Sequence, residues 1–154
     1  VASFRGIKEV SLDSKWRLAI PTRFRDVAQE ICGLELILNV NPFNRCITVY
    51  PIKEWERIEA QISTYPDAIE DQRAMRNLLM GYATELELDS AGRFVVPPMH
   101  RKYAGIEKDA VVVGKATKFE IWNAERWHAS TEQTFGDGLI GEKPLSEEVI
   151  RLVI

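Results

Sequence analysis

The chain contains 154 residues, 45% of them hydrophobic, and carries a formal net charge of −3 at pH 7. That is the length of one domain or of two closely packed halves, with enough apolar residues for a hydrophobic core. No apolar run approaches the roughly 18 residues of a membrane span, and no signal-peptide segment opens the chain, so we expect a cytoplasmic protein without a membrane partner.

Short strand patterns and amphipathic helix patterns alternate along the first half of the chain. Prolines begin the helices and a glycine closes the first of them, as the fixed φ of proline and the freedom of glycine favour. The predicted elements are, in order, a strand over 4–11, a turn at Asp13, a strand ending at Pro21, a helix ending at Gly33, a hairpin of 34–40 with 45–50, and a helix from Pro51. Together they form a first repeat over residues 1–66, and a linker helix follows over residues 67–83.

The second half of the chain repeats this plan. Residues 11–25 (SLDSKWRLAIPTRFR) and residues 87–101 (ELDSAGRFVVPPMHR) align at a constant offset of 76. Each copy has an Asp-Ser turn, an Arg, an apolar triplet and a Pro, which predicts an Asx-type turn, a short strand and then a helix. Two copies that are each too small to bury their own faces should pack against one another. The second repeat spans residues 84–135, and residues 136–154 form a tail in which Ser146 caps a last short helix.

The two copies differ in length between the proline and a pair of aromatic residues. Tyr50 and Trp55 correspond to Trp122 and Trp127 at an offset of 72, four less than the offset of the turns. The first copy therefore has four extra residues, which we place in the loop of its hairpin, at residues 41–44.

Residues that could bind a metal or perform catalysis are sparse. Cys32 and Cys46 lie 14 residues apart, and His100 and His128 are far from both, which does not match the spacing of a zinc site. No P-loop or nucleophile elbow is present. The sequence therefore predicts no metal, no cofactor, no small-molecule substrate and no catalytic residue.

Charge is divided unequally between the two copies. Residues 1–25 contain six basic and two acidic residues, a net charge of +4, whereas the matching residues 77–101 contain two basic and three acidic residues, a net charge of −1. A basic cluster attracts the phosphates of nucleic acid in spite of the negative total. We interpret the first copy as the nucleic-acid face and the second as mainly scaffold; the alternative is a solvated charged edge.

These motifs resemble the MraZ family of bacterial transcription regulators, which are built from two AbrB-like half-units. The resemblance rests on the opening Phe4-Arg5-Gly6, on the two D-x-x-x-R turns with their apolar triplets and prolines, and on a Trp-containing helix after each hairpin. It covers residues 4 to about 130. It implies an α+β protomer of two pseudo-repeated, swapped-hairpin β units with short helices.

The resemblance also implies that the first D-x-x-x-R loop contacts DNA, with Lys15 and Arg17 reading base edges and Arg5 nearby. The planar fork of arginine suits both guanine and phosphate. Arg23 and Arg25, on the helix after the proline, either hold phosphates or face solvent. The DNA-binding candidates are therefore Arg5, Lys15, Arg17, Arg23 and Arg25.

We assign structural roles to Asp13, Asp89 and Arg93. Each carboxylate should accept backbone N–H bonds within its turn and pair with the arginine four residues on. An aspartic-protease-like dyad of the two carboxylates is the enzymatic alternative. Lys15 and Trp16 crowd one copy only, which disfavours it, and we expect no enzyme.

Trp16 departs from the family pattern, which has a glycine before the motif arginine, as at Gly92. If the turn requires φ > 0 there, an aromatic residue is strained by roughly 1–3 kcal/mol, and DNA binding is weakened. Alternatively, the indole lies over a base, a sugar or Arg17. We favour the first interpretation.

The sequence thus predicts a DNA-binding transcription regulator in the nucleoid. The resemblance implies that its partners are double-stranded DNA with short direct promoter repeats and further copies of itself in a ring, so that several weak loops bind together. The alternative from another class is an AbrB-type, antitoxin-like module whose main partner is another protein.

Overall fold

The computed structural model describes residues 2–135 and 145–152. The elements are, in chain order, β1 Ile7–Ser11, β2 Arg17–Ala19, α1 Thr22–Cys32, β3 Leu36–Val40, β4 Ile47–Pro51, α2 Ile52–Ile62, α3 Glu70–Tyr82, β5 Thr84–Leu86, β6 Arg93–Val95, α4 Pro98–Ala104, β7 Asp109–Gly114, β8 Phe119–Asn123, α5 Ala124–Phe135 and α6 Glu147–Ile150. Within these ranges, no helix combines the length and the apolar character that crossing a membrane requires.

The strands form a six-stranded antiparallel sheet, in the order β1-β7-β8-β4-β3-β5, and a separate two-stranded ribbon of β2 with β6. The first strand of each repeat pairs with the hairpin of the other repeat, β1 with β7 and β5 with β3. Equivalent residues meet where the repeats join, with Thr48 opposite Glu120 in the sheet and Leu18 opposite Phe94 in the ribbon. A pseudo-twofold axis therefore relates the two halves, which confirms the predicted α+β fold of swapped-hairpin units.

The four extra residues of the first copy lie in a helix, so their predicted place in the hairpin loop at residues 41–44 is wrong. Helix α1 has 11 residues and α4 has seven, and each ends at a glycine in the left-handed region, Gly33 (φ 61°) and Gly105 (φ 66°). Since four residues make about one helical turn, the longer helix keeps the same apolar face toward the core. The hairpin loops differ by only two residues. The second copy recovers one of them between Gly105 and β7, and the other in β7, which has six residues where β3 has five.

The core covers both faces of the central strands, and every residue of β3 and β4 is buried. On one face the rings of Phe4, Phe24 and Phe119 pack together, with centroids 5.1 to 6.1 Å apart. They join the N-terminal segment, α1 and β8. On the other face Tyr50 and Trp55 pack at 5.9 Å, in a cluster with α2 and α3.

The boundary between the two compact units of the chain falls at Ala124 and Glu125. In the second unit, Ser146 caps α6 as predicted, because its hydroxyl accepts a hydrogen bond from the Val149 backbone N–H at 3.4 Å. Of the predicted tail over residues 136–154, residues 136–144, 153 and 154 lie outside the described residues.

Candidate nucleic-acid interface

The tight turn of residues 13–17, here called the Asp13 turn, connects β1 to β2 and is closed by a carboxylate. Asp13 Oδ1 accepts hydrogen bonds from the backbone N–H groups of Lys15 and Arg17, both at 2.9 Å, and Oδ2 accepts one from Arg17 Nε at 2.7 Å. These donors, the backbone N–H of Arg17 foremost, lower the pKa of Asp13 from 3.8 to about 2. The carboxylate is therefore ionised at neutral pH and fixes the Arg17 side chain.

The Asp89 turn, residues 89–93, is built in the same way between β5 and β6. Asp89 Oδ1 accepts from the backbone N–H groups of Ala91 and Arg93 at 2.9 Å, and Oδ2 accepts from Arg93 Nε at 2.9 Å. The pKa of Asp89 is lowered as well, first by the Arg93 backbone N–H. Each aspartate uses its acceptor oxygens within its own turn, next to its own arginine.

The ribbon that joins the two turns carries both motif arginines on its outer face. Leu18 and Phe94 point into the core, at 0% and 4% exposure, so strand alternation directs their neighbours outward. Arg17 lies opposite Val95, and Arg93 lies on the same face. The Arg17 guanidinium is held through Nε, and its terminal NH2 groups form no hydrogen bond with any described residue. It therefore presents an open, two-pronged donor edge.

Trp16 occupies the left-handed region at φ 63°, and Gly92 occupies it at φ 74° in the equivalent position. This confirms the prediction that the turn requires φ > 0. The predicted alternative of a stack on Arg17 is wrong. The indole packs instead against Arg101, whose Cζ lies 3.9 Å from the ring centroid, and 40% of Trp16 remains exposed.

Arg25 and Arg101, equivalent residues of α1 and α4, each reach across to the turn of the other repeat. Arg25 covers Gly92 so closely that an added Cβ there would lie 2.6 Å from Arg25 Nη1. Arg25 Nη2 also donates to the Thr22 hydroxyl at 3.0 Å. Of the predicted DNA-binding residues, Arg25 therefore lies at the Asp89 turn of the other repeat, while it stays hydrogen-bonded to Ile20 and Thr22 of its own.

Arg5 and Arg23 lie close together at the other end of β1. Phe4 pairs with Ala116 at the tip of the β7–β8 hairpin, which fixes the backbone beside Arg5. A Cβ on the next residue, Gly6, would lie 3.4 Å from Arg23 Nη1, and both arginines are exposed. Arg5 is separated from the Asp13 turn by the length of a five-residue strand, about 17 Å. The structure therefore does not bring it beside the predicted base-reading pair.

Arg101 is absent from the residues predicted to contact DNA, because it is counted with the acidic second repeat. The structure places it on Trp16, at the Asp13 turn. The constant offset of 76 makes it the equivalent of Arg25, and this was the one signal in the sequence that could have found it. The sequence does not show that each of these arginines contacts the turn of the other repeat; the structure does.

Two pseudo-repeated, swapped-hairpin β units with carboxylate-clamped turns on a shared ribbon define a protein of the AbrB-like class. Comparison with known families agrees with the division into two repeats. The family described as "MraZ protein, putative antitoxin-like" matches residues 3–78 and again residues 79–137. The chain belongs to the MraZ family.

Two similar relatives carry the same name. The protein named transcriptional regulator MraZ of Pseudomonas putida strain F1 is 45% identical over 126 residues, which are 82% of this chain and 83% of the relative. The protein of the same name from Pseudomonas aeruginosa strain LESB58 is 44% identical over 129 residues, 84% of this chain and 85% of the relative. The similarity thus spans both repeats.

Proposed function

We propose that this chain regulates transcription by binding double-stranded DNA in a sequence-specific way through the Asp13 turn. The observation that carries the proposal is the state of Arg17, whose Nε is held by an ionised carboxylate while its terminal NH2 edge is open on an exposed ribbon. Such an edge donates two parallel hydrogen bonds to O6 and N7 of a guanine in the major groove. A guanidinium that is already fixed also loses less side-chain entropy when it binds.

The other basic residues of the first repeat hold the protein on the DNA in this proposal. Lys15 is exposed at the tip of the turn, beside Arg17, and reaches either a base edge or a phosphate. Arg5 and Arg23 meet phosphates at the far end of β1, and Arg25 contributes less because Thr22 already engages it. Phosphate contacts set register and affinity without carrying sequence information.

The second repeat serves as scaffold in this proposal. Asp89 and Arg93 repeat the clamp, but Ala91 occupies the position equivalent to Lys15, so the Asp89 turn lacks a basic tip. We assign DNA contact to the lobe of residues 1–66 and support to that of residues 84–135, with residues 67–83 joining them. Regulation then proceeds by binding alone, without a cofactor and without catalysis.

Assembly of several copies of the chain compensates for the short DNA sequence that a single turn can read. One clamped arginine reads only a few base pairs, so we propose that several copies form a ring in the nucleoid and engage short direct repeats of a promoter together. Once one turn is bound, the others bind at a high effective concentration. A ring with several identical basic turns can then bind DNA tightly even when the contact made by each turn is weak.

The second candidate function is that of an antitoxin-like module whose main partner is a protein, and the wording of the family description favours it. The two candidates differ in their response to salt. Each phosphate contact contributes about −0.9 to the slope of log K against log salt, whereas a mainly apolar protein interface has no such slope.

The test is to let the purified full chain select duplexes from a randomised pool and to titrate the enriched duplex and a scrambled one at several salt concentrations. We expect an enriched, guanine-containing motif, tighter binding than to the scrambled duplex, and a steep salt slope. Failure to enrich any duplex, with no salt-dependent DNA binding, would overturn the proposal.

A further inference from the structure

We propose that Arg101 is a phosphate-binding residue that the second repeat supplies to the Asp13 turn, and that Trp16 is the residue that positions it. The inference rests on the proposed DNA-binding function of that turn and extends it to a contact made by the scaffold repeat. Four structural observations carry it.

The first observation is a comparison within the molecule. The pseudo-twofold axis places Arg25 over Gly92 and Arg101 over Trp16. In both cases Nε donates to the carbonyl five residues earlier in the chain, at 3.0 and 3.1 Å. The two arginines are therefore held by the same hydrogen bond at Nε, and their contacts differ only at the terminal NH2 groups.

The second observation is that those terminal groups have different neighbours. Arg25 Nη2 donates to the Thr22 hydroxyl at 3.0 Å. The equivalent of Thr22 in α4 is Pro98, which has no hydroxyl. Arg101 accordingly makes no hydrogen bond through its NH2 groups, and no ion pair, with any residue that the structure describes. Among the residues that the structure describes, no carboxylate pairs with its positive charge.

The third observation is that Trp16 holds this free charge in place. The indole lies against the guanidinium at 3.9 Å, a cation–π distance. The Trp16 carbonyl accepts the Val96 backbone N–H at 2.9 Å, and the Val96 carbonyl accepts Arg101 Nε at 3.1 Å. The cation–π contact and two hydrogen bonds thus connect the turn, the ribbon and α4.

The fourth observation is that other basic residues lie near the Arg101 guanidinium. Trp16 stands between Lys15 and Arg17, so the turn proposed to enter DNA gains a third basic group from the other repeat. At the Asp89 turn Gly92 has no side chain on which an arginine could stack, and Arg25 lies directly on the backbone. A planar, fixed guanidinium that has no ion pair among the described residues, beside a base-reading arginine, matches a pair of phosphate oxygens that flank the site.

The experiment is a double-mutant cycle on Trp16 and Arg101, read as affinity and as salt slope for the selected and the scrambled duplex. We expect Arg101→Ala to weaken binding to both duplexes at least about tenfold at low salt, because a charge-assisted hydrogen bond is lost. The slope against log salt should decrease by about 1. Trp16→Phe, which keeps an aromatic face, should stay close to the parent.

Trp16→Gly recreates the arrangement at Gly92, which this fold already accommodates, so it provides a folded variant even if Arg101→Ala does not fold. Contrary to the expectation from the sequence that Trp16 weakens DNA binding, we expect Trp16→Gly to lose several-fold in affinity for both duplexes, and Arg101→Ala to add less than about twofold in that background. Affinity and slope unchanged in a folded Arg101→Ala variant would overturn the phosphate contact. Fully additive effects would overturn the positioning role of Trp16. If the parent protein itself binds no duplex, the proposed function fails. If the parent binds but the variants of the cycle bind equally well, only the role of Arg101 and Trp16 fails.

Discussion

Gly114→Ala tests the exchange of strands between the two repeats. An added Cβ at Gly114 would lie 2.6 Å from backbone atoms of Phe4 and Arg5. Backbone atoms cannot rotate away as the end of a side chain can, so the N-terminal segment must move off the β7–β8 hairpin. The same substitution at Gly81, in α3, meets no atom within 4 Å.

The magnitude follows from what the N-terminal segment contributes. Phe4 is 1% exposed and exchanges two backbone hydrogen bonds with Ala116, at 2.8 and 2.9 Å. Removing a buried phenylalanine costs about 3–5 kcal/mol, and each backbone bond adds about 1 kcal/mol. Since the segment can relax in part, we expect Gly114→Ala to lower the free energy of unfolding by about 3–5 kcal/mol, a large share of the 5–15 kcal/mol typical of domains.

The assay is urea unfolding followed by circular dichroism, with both variants extrapolated to water. Gly81→Ala should stabilise the protein by about 0.5–1 kcal/mol, because alanine favours a helix and restricts the unfolded chain. A Gly114→Ala variant within about 1 kcal/mol of the parent, with an unchanged m-value, would refute the close packing of the N-terminal segment on the hairpin.

Three further variants test the core and the titrating groups. Trp55→Ala, at a residue 3% exposed, should cost about 3–5 kcal/mol in the same urea assay, and a cost below 1 kcal/mol would place Trp55 outside the core. Burial lowers the pKa of His100, whose Nε2 donates to the Tyr82 carbonyl at 2.9 Å. The unfolded chain therefore binds a proton that the native state does not, so stability is full above the ordinary value of 6.5 and decreases as pH falls below it. His100→Phe, with the residue found at the equivalent position 24, should remove the difference between urea midpoints at pH 7.5 and 5.5. The contribution of Asp13, whose pKa is lowered, is present above pH 3.8 and is lost as pH falls through about 2; Asp13→Asn should flatten that acid limb in a pH titration of stability.

The local features of the fold follow from the sequence because their causes are local. The Asp13 turn closes through hydrogen bonds between residues at most four apart. An Asp-Ser pair, with an arginine four residues after the aspartate at the start of a strand, was therefore sufficient to predict it. The positive φ at Trp16 followed from Gly92 in the aligned copy. The prolines before α1, α2 and α4 likewise mark where each helix begins.

The features that the sequence did not predict arise from the exchange between repeats. Arg25 and Arg101 serve each other's turns because the ribbon of β2 with β6 brings the turn of each repeat beside the helix of the other. This pairing is between residues far apart in the sequence, so no short stretch of sequence reveals it. Arg5 lies away from the Asp13 turn because β1 is extended along the hairpin of the second repeat. The four extra residues of the first copy were expected in the hairpin loop because loops accept insertions readily. A packed helix also accepts an insertion when the insertion adds one whole helical turn.

The measurement that tests the central claim most directly compares Arg17→Ala with Arg93→Ala. The two substitutions remove the same contact to an aspartate four residues earlier, at 2.7 and 2.9 Å, so their effects on stability should be equal and any difference in DNA affinity belongs to the interface. We expect Arg17→Ala to weaken binding to the selected duplex by about 5- to 150-fold per turn, the worth of a bidentate base contact, and Arg93→Ala to change it by less than about threefold. Equal losses of affinity in two equally stable variants would contradict the assignment of DNA reading to the Asp13 turn.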